Sequence, residues 1–337
     1  MRTFRATLAF TAAIFSLTSL AQAAPAPNYR ILERIKVSDG GFDYATVDAT
    51  TGRLYMARTD FTTVIDLKTN AVSQLKSGVR GHIFLPIPGT GLAALTQRTG
   101  TVRLVDIAKD MPVADIPAGK NPDGAVYDTF SKLIFAMNHD SGNATVIDPA
   151  TRKPVANIQV NGELEFPVSD GQGKIFVNNE AAPADIAVID VKTRTVTGRY
   201  KLPGCEEATG LAYVAAAKLL ISACGNGVAK VLQADTGKEV ASLTIGKGAD
   251  AVIYDAARKL VFIPCGRDAV LEVISLADPA HIAVVQHVQT QQGSRTGTVD
   301  PNTGRLYLMA SKPDPNAPPG GRGVRLAGSY EVLVIGP

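Results

Sequence analysis

Apolar and polar residues alternate along this 337-residue chain in short runs that recur about every 42 residues. Each repeat contains a β-branched run that ends in a polar residue, and the first six copies follow one another at intervals of 40 to 43 residues. The copies occupy residues 64–66, 104–106, 146–148, 188–190, 231–233 and 273–275, and a seventh closes the chain at 333–335. Short apolar runs bounded by turn residues are typical of β-strands.

A second apolar run precedes each of these copies, as in residues 132–135 and 174–177. One complete unit, residues 121–160, contains four such runs separated by polar turns. Seven units of this length, built from strands and turns, predict an all-β fold: a seven-bladed β-propeller with four-stranded antiparallel blades. The pattern shows no helices between the strands, which argues against a parallel α/β sheet.

The two ends of the repeat array complement each other. Residues 31–37 resemble a fourth strand without its first three, and residues 331–335 resemble a third strand without its fourth. Pairing them would remove two open sheet edges, so we predict that the N-terminal strand closes the last blade. Residues 24–337 would then form one propeller domain, in which the Pro- and Gly-rich segment 312–329 is an insertion on the face of the channel mouth.

The first 23 residues have the pattern of a signal peptide. Arg2 and Arg5 precede an apolar stretch at 8–20, and residues 21–23 form an Ala-Gln-Ala cleavage site. This stretch is too short to span a bilayer as a helix. We therefore predict a periplasmic or secreted protein whose mature chain, 24–337, has no membrane span.

The net charge of the mature chain bears on the class of partner that the protein binds. Removing residues 1–23, which contain two arginines and no acidic residue, lowers the formal charge from +3 to +1, so nucleic acid is disfavoured as a partner.

Of the three cysteines, Cys205 precedes the first strand of the fifth blade and Cys224 ends its second strand on the same face. Cys265 lies one blade further, about 10 Å away and too far for a bond. We predict a Cys205–Cys224 disulfide and a free Cys265.

The repeat resembles the YVTN-type β-propeller family. The matching segments are Phe-Ala-Met-Asn at 135–138, Ser-Gly-Asn at 141–143, Val-Ile-Asp at 146–148 and Phe-Val-Asn-Asn at 176–179. The chain has no Trp, which excludes the WD-type signature. The resemblance implies the architecture, because the shared residues are packing and turn residues. It also implies a periplasmic setting, because similar propellers occur in quinoprotein-associated periplasmic proteins. The partner itself is left open between a small molecule and a periplasmic protein, such as one of a quinoprotein or transporter system.

Candidate functional residues lie where each first strand begins, because in propellers these positions surround the mouth of the central channel. Alignment of the seven units places Asp43, His82, Asp123, Glu165, Thr209, Asp250 and Arg295 at these positions. We predict that the six charged or ionisable members, Asp43, His82, Asp123, Glu165, Asp250 and Arg295, bind a ligand. The loops after the second strands, including 138–140 and 178–180, are expected on the same face.

The carboxylates of this ring also suggest a cation site. Asp43, Asp123, Glu165 and Asp250 offer the oxygen ligands that Ca²⁺ or Mg²⁺ prefers. A metal at this position could polarise a carbonyl group, as in lactone hydrolysis. The chain lacks a G-x-S-x-G nucleophile elbow and a C-x-x-C-H haem motif, so no catalytic residue is assigned.

These observations favour a non-catalytic role. The function predicted from the sequence is that of an exported binding or scaffold protein, whose loop face at the channel mouth holds a small molecule or a periplasmic partner protein. The alternative is a metal-dependent hydrolase of the lactonase type. A third reading, a propeller that binds single-stranded DNA, is disfavoured by the charge and by the scarcity of aromatic residues near basic loops.

Overall fold

A computed structural model describes residues 27–316 and 324–337 of the chain. All regular elements in this part are β-strands, arranged in seven four-stranded antiparallel sheets. The predicted seven-bladed propeller is therefore confirmed. The predicted signal peptide, 1–23, and the centre of the insertion, 317–323, lie outside the described residues.

The first four blades follow the chain from the innermost strand outwards. Blade one contains β2 (Phe42–Asp48), β3 (Arg53–Arg58), β4 (Thr62–Asp66) and β5 (Val72–Leu75). Blade two contains β6 (Gly81–Pro86), β7 (Leu92–Gln97), β8 (Thr101–Asp106) and β9 (Met111–Pro117). Blade three contains β10 (Pro122–Asp128), β11 (Leu133–Asn138), β12 (Asn143–Asp148) and β13 (Lys153–Gln159). Blade four contains β14 (Leu164–Ser169), β15 (Lys174–Asn179), β16 (Asp185–Asp190) and β17 (Thr195–Lys201).

The remaining three blades have the same order, and the last one is completed from the N-terminus. Blade five contains β18 (Ala208–Val214), β19 (Leu219–Cys224), β20 (Val228–Gln233) and β21 (Glu239–Thr244). Blade six contains β22 (Ile253–Asp255), β23 (Leu260–Cys265), β24 (Val270–Ser275) and β25 (Ala283–Gln289). Blade seven contains β26 (Gly297–Val299), β27 (Leu306–Ala310), β28 (Glu331–Gly336) and, outermost, β1 (Arg30–Lys36).

The hydrophobic core lies between neighbouring blades rather than at one centre. Between blades three and four, Phe135 and Val146 of one sheet pack with Ile175 and Val177 of the next. All four side chains are fully buried. The second and third strands of each blade supply most of these contacts, which explains why the apolar runs of the repeat occur in pairs.

The turns that join third to fourth strands depend on aspartate. Asp66 Oδ1 accepts hydrogen bonds from the backbone amides of Lys68 and Thr69, at 3.0 and 2.8 Å. Asp148 makes the same contact with the amide of Ala150, at 2.9 Å. A side chain that binds the backbone two or three residues ahead stabilises a tight turn, so the role of these aspartates is to stabilise the turns.

The ring is closed by pairing β1 with β28 in antiparallel register, from Arg30 opposite Gly336 to Lys36 opposite Glu331. The predicted closure by the N-terminal strand is thus confirmed. The ladder is irregular between Ile31 and Glu33, where it contains a bulge. The outermost strand of blade seven therefore comes from the opposite end of the chain.

Arg58 fastens the segment that follows the closing strand. Its guanidinium group is only 1 % exposed and donates hydrogen bonds to the carbonyl oxygens of Ser38, Gly40 and Gly41, at 2.7 to 2.9 Å. It also binds Thr63 Oγ1 at 2.9 Å. Burial lowers the pKa of Arg58 to about 10, a value at which the group is still charged at neutral pH. The closing segment is thereby joined to blade one.

Candidate functional site

The structure places the seven entrance residues at equivalent positions of the seven blades. In six blades the entrance residue lies two positions before a first-strand residue that pairs with the middle of the second strand. These pairs are Ala45–Met56, Phe84–Leu95, Ala125–Ala136, Pro167–Val177, Leu211–Ser222 and Gly297–Leu308. In blade six, Asp250 lies three positions before Ile253. Because Ile253 pairs with Phe262, one residue further along the same register, Asp250 occupies the equivalent position. We call the end of the channel formed by Asp43, His82, Asp123, Glu165, Thr209, Asp250 and Arg295 the mouth.

Glycine allows the inner strands to approach closely at the mouth. A Cβ atom on Gly124 would lie 2.7 Å from Pro167 Cδ and 3.0 Å from the carbonyl oxygen of Glu165. A Cβ atom on Gly210 would lie 2.5 Å from the backbone of Ala251. The Asp-Gly sequence at 123–124 therefore does more than turn the chain, because it brings the entrance residues of neighbouring blades together.

Three entrance residues from blades one, two and three meet in what we call the His82 cluster: Asp43, His82 and Asp123. His82 is 3 % exposed, and its Nδ1 lies 2.7 Å from Asp43 Oδ2 and 3.5 Å from Asp123 Oδ1. The other ring nitrogen, Nε2, lies 3.1 Å from Asn121 Oδ1. The structure therefore brings the three predicted residues together around the buried imidazole group of His82.

A second group, the His139 cluster, contains His139, Glu165 and Glu180 from blades three and four. His139 Nε2 lies 2.9 Å from Glu180 Oε1 and 3.4 Å from Glu165 Oε1. The hydroxyl group of Tyr44 donates a long hydrogen bond of 3.4 Å to the other carboxyl oxygen of Glu165. Both His139 and Glu180 belong to the loops after second strands that were expected on this face.

The two remaining charged entrance residues pair with each other. Arg295 Nε donates a 2.5 Å hydrogen bond to Asp250 Oδ2. Asp250 is thereby neutralised by its neighbour in blade seven and belongs to neither histidine cluster. The four carboxylates proposed from the sequence as one metal site are divided among three groups: Asp43 and Asp123 lie with His82, Glu165 lies with His139, and Asp250 pairs with Arg295.

Burial and mutual repulsion raise the pKa values of the carboxyl groups at the mouth. Burial, reinforced by Asp123 and Asp250, raises the pKa of Glu165 to about 10. Burial and then the charge of Asp43 raise the pKa of Asp123 to about 7. The pKa of Asp250 is raised to about 6 by burial, although Arg295 opposes the shift. The ionised forms of these acids are therefore destabilised unless a positive charge is nearby.

The imidazole groups shift in the same direction for a different reason. Burial disfavours a charged His82, but the hydrogen bond to Asp43 and the charge of Asp123 outweigh it and raise the pKa. For His139, the hydrogen bond to Glu180 is the main cause of a pKa raised to about 9. In both cases the facing carboxylates are what favours the charged form of the imidazole group.

Several of these contacts were not assigned from the sequence. Tyr44 and Asn121 have no motif, and Asn121 reads as a turn residue before the first strand of blade three. His139 and Glu180 were placed on the correct face but not among the ligand-binding residues. Their spacing from Glu165 carries no signal in one sequence, because the three side chains come from different strands and meet only in the folded ring.

The two ends of the channel differ in polarity. Beside the mouth, an open cavity of about 630 Å³ lies between blades two and three and is lined by polar groups, including Arg98, Lys120, Asn121 and Asp140. At the ends of the first strands away from the mouth, a cavity of about 530 Å³ is lined by Leu85, Tyr127, Phe166, Val168 and Tyr213, among others. The cavity beside the mouth is therefore mainly polar, whereas the second cavity is mainly apolar.

The described ends of the 312–329 insertion lie against blade seven and the closing segment. Pro313 forms an isolated antiparallel bridge with Arg325, and the amide of Gly328 donates to the carboxylate of Asp39. Arg325 Nη1 is 3.5 Å from the carbonyl oxygen of Gln292, three residues before the entrance residue Arg295. The base of the insertion thus lies beside the mouth.

The cysteines are arranged as the sequence suggests. Cys205 and Cys224 form a disulfide bond with an S–S distance of 2.05 Å and a Cα–Cα distance of 5.4 Å. Cys265 is a free, buried thiol whose pKa is raised to about 12 by burial. The disulfide links the segment before β18 to the end of β19, on the same face as the mouth.

Neither a protein-family model nor a curated protein sequence matches the chain. Among solved structures, a chain of Kuenenia stuttgartiensis hydrazine synthase is 15 % identical with a TM-score of 0.70, and the match covers 81 % of this chain and 94 % of that one. A chain of the mitotic checkpoint complex is 12 % identical with a TM-score of 0.73 and coverage of 100 % and 99 %. The RRP9 WD40 repeats are 10 % identical with a TM-score of 0.74 and coverage of 92 % and 99 %.

At these identities the comparisons establish the propeller fold alone. With no family model matched, the YVTN-type assignment remains a resemblance of the repeat. No helix within residues 27–316 and 324–337 has the length and hydropathy needed to cross a bilayer.

Proposed function

We propose that this protein is an exported binding protein that holds a positively charged ligand, a metal ion or a small organic cation, at the mouth of its channel. The observation that carries the proposal is the crowding of carboxyl groups there. Asp123, Glu165 and Asp250 all have raised pKa values, and burial and neighbouring acids oppose their ionisation. A cation at the mouth would relieve this repulsion, so its binding would be favoured electrostatically.

Export is supported by the signal-like pattern of residues 1–23 and by the Cys205–Cys224 disulfide, since structural disulfides form mainly in oxidising compartments. We propose a periplasmic or secreted location on this basis. A periplasmic partner protein from a quinoprotein or transporter system is a further proposal, for which the sequence resemblance supports the quinoprotein association.

Calorimetric titration of chelator-treated, dialysed protein with spermidine and, separately, with Ca²⁺ and Zn²⁺ tests the proposal. We expect at least one of these cations to bind. The double variant Asp123→Asn/Glu165→Gln should weaken that binding by about tenfold or more, because two carboxyl groups that can carry negative charge are replaced by neutral amides.

The matched control is Asp235→Asn/Asp278→Asn, which removes two exposed carboxylates away from the mouth. This control should bind as the wild type does. Absence of binding for all three cations, or equal affinity in the two double variants, would contradict the proposed function.

Metal-dependent hydrolysis of a lactone is a second candidate function. It is favoured by Asp123, because a carboxyl group with a pKa near 7 can exchange a proton with a substrate at neutral pH. Hydrolysis of simple γ- and δ-lactones, followed with a pH indicator and added divalent metal, tests it. Turnover that is the same in the wild type and in Asp123→Asn would exclude this candidate.

A further inference from the structure

The two histidines at the mouth are held in the same way. In the His82 cluster, Nδ1 faces two carboxylate oxygens, at 2.7 and 3.5 Å, while Nε2 lies 3.1 Å from the amide oxygen of Asn121. In the His139 cluster, Nε2 faces two carboxylate oxygens, at 2.9 and 3.4 Å, while Nδ1 lies 2.7 Å from Asp140 Oδ1. Each ring therefore directs one nitrogen towards a pair of acids and the other towards a single oxygen.

The contacts of Asn121 determine which nitrogen of His82 carries its fixed proton. The amide nitrogen of Asn121 donates to Asp140 Oδ1 at 3.2 Å, so its oxygen atom points to His82. An amide oxygen only accepts hydrogen bonds, and His82 Nε2 must therefore be the donor. Nδ1 is left to face Asp43 and Asp123, either with a proton or with a lone pair.

This arrangement is the one that metal-binding histidines adopt in proteins. A histidine ligand usually donates its second N–H group to a carboxylate or carbonyl oxygen, which fixes the tautomer and the ring orientation. Asn121 has this relation to His82, and Asp140 has it to His139. The same acceptor, Asp140, is thus linked to both clusters, directly to His139 and through Asn121 to His82.

Asp123 provides an independent sign that a ligand is missing from the contacts of the His82 cluster. Its Oδ1 atom is buried and has no hydrogen-bond partner among the described residues. Its nearest cationic group is His82 Nδ1 at 3.5 Å, beyond good hydrogen-bonding distance. A buried carboxylate oxygen without a partner is costly, and an ion bound between Asp123 and His82 would satisfy it.

We propose that the His82 cluster and the His139 cluster are two binding sites for a divalent transition-metal ion of the zinc class. This inference rests on the proposed function and specifies its ligand. In each cluster one imidazole nitrogen and two carboxylate oxygens lie within 4.8 Å of one another. Ligand atoms about 2.0–2.1 Å from a tetrahedral ion lie about 3.4 Å apart, so small side-chain movements bring each set into range.

The donor set separates this class of ion from the ions suggested by the sequence. Ca²⁺ takes six to eight oxygen ligands, and Mg²⁺ keeps most of its water and prefers oxygen. Imidazole nitrogen combined with carboxylate oxygen suits Zn²⁺. Three protein ligands per ion also leave one coordination position for a further ligand, the arrangement found in catalytic and ligand-binding zinc sites.

Two measurements on the chelator-treated full-length mature protein test the proposal. Zinc titration in competition with a chromophoric chelator should give two ions per chain for the wild type, one for His82→Gln, one for His139→Gln and none for the double variant. Independently of any variant, Co²⁺ bound to the wild type should show the visible absorption bands of a nitrogen- and oxygen-ligated ion of low coordination number.

The chain offers a matched control in two histidines outside the mouth. His281 and His287 each lie beside one carboxylate, Asp278 and Glu272, at 2.6 and 2.5 Å. The variant His281→Gln/His287→Gln should still bind two zinc ions, because these histidines face single acids and belong to neither cluster.

The proposal is overturned if the wild type binds no zinc, or if the stoichiometry is unchanged in the His82→Gln/His139→Gln variant. Spermidine separates this failure from failure of the proposed function. If spermidine binds and depends on Asp123 and Glu165 while zinc does not bind, only the metal proposal fails. If neither spermidine nor any metal ion binds, both fail.

Discussion

Single residues at the mouth show how local burial changes the chemistry of ordinary side chains. Glu165 is 8 % exposed, and after burial the strongest influences on its pKa are the charges of other acids, Asp123 and Asp250 first. These outweigh His139, whose Nε2 lies 3.4 Å away. Its partner Tyr44 supplies only a long hydrogen bond, and the pKa of the Tyr44 hydroxyl is itself raised by burial and by Glu165. The carboxyl group therefore lies in surroundings that favour its neutral form.

The variant Glu165→Gln should be more stable than the wild type at pH 7 in metal-free buffer. A raised folded-state pKa means that the contribution of Glu165 to stability is full below its unfolded pKa of about 4.3 and is lost as pH rises towards about 10. Glutamine does not ionise, so the gain at pH 7 should be on the order of 3 to 4 kcal/mol and should shrink towards pH 4.

Urea unfolding at pH 7 and pH 4 measures this difference. Glu163→Gln, an exposed acid two residues earlier, is the matched control and should change stability little at either pH. A Glu165→Gln variant no more stable than the wild type at pH 7 would show that folding does not raise the pKa of Glu165.

At the scale of the single element, the repeated aspartate turns act in the opposite direction. The pKa of Asp66 is lowered by hydrogen bonds from Thr69, that of Asp148 by Thr151 and that of Asp190 by Thr193. A lowered folded-state pKa gives stability that is present above the unfolded value of about 4 and is lost as pH falls through the folded value. These turns should therefore weaken in acid.

The triple variant Asp66→Asn/Asp148→Asn/Asp190→Asn should be less stable than the wild type at pH 6 and should lose less stability between pH 5 and pH 2.5. Urea midpoints across this range give the measurement. Glu163→Gln/Glu206→Gln, which changes exposed acids outside these turns, should keep the wild-type slope. An unchanged slope in the triple variant would mean that other groups control acid unfolding.

The disulfide is a staple within blade five. Cys205 and Cys224 are 19 residues apart, and closing a loop of this length stabilises a fold by about 3 kcal/mol in the chain-entropy description. Reduction should lower the melting temperature of the wild type and leave that of Cys205→Ser/Cys224→Ser unchanged. Thiol titration of unfolded, unreduced protein should find one thiol, Cys265, and three after reduction; any other count would refute the pairing.

At the scale of the whole molecule, stability depends on closing the ring. β1 covers the outer edge of β28, and Arg58 binds three carbonyl oxygens of the segment that leads from β1 into blade one. Without this strand, blade seven would have an open edge and a partly exposed core. The contacts that close the propeller join residues nearly the whole chain apart.

Deleting residues 24–38 should lower the melting temperature sharply, because the ladder with β28 and the packing of Ile35 are lost. A truncated protein that melts at the wild-type temperature would disprove the closing role of this strand.

Arg58→Met is a milder test of ring closure. It should lower the free energy of unfolding by about 3 kcal/mol, since buried carbonyl oxygens lose their donors. Arg53→Met, at an exposed position of the same strand, is its control.

The sequence was sufficient to predict the repeat period, the four strands of each blade, the closing strand and the position of each entrance residue. Each of these features depends on local alternation of residues and on a constant spacing. Gly124 and Gly210 are visible in the sequence, each directly after an entrance residue. Their actual role, close approach of neighbouring inner strands, depends on the distance between blades and appears only in the structure.

What only the tertiary structure decided is which entrance residues meet. The sequence treats Asp43, Asp123, Glu165 and Asp250 as equivalent members of one ring, because they occupy the same position in the repeat. In the folded ring, side-chain length and the packing of neighbouring blades group Asp43 and Asp123 around His82, bring Glu165 to His139, and pair Asp250 with Arg295. A repeat specifies position within a blade, whereas chemistry at the mouth arises between blades, where contacts depend on atoms from distant parts of the chain.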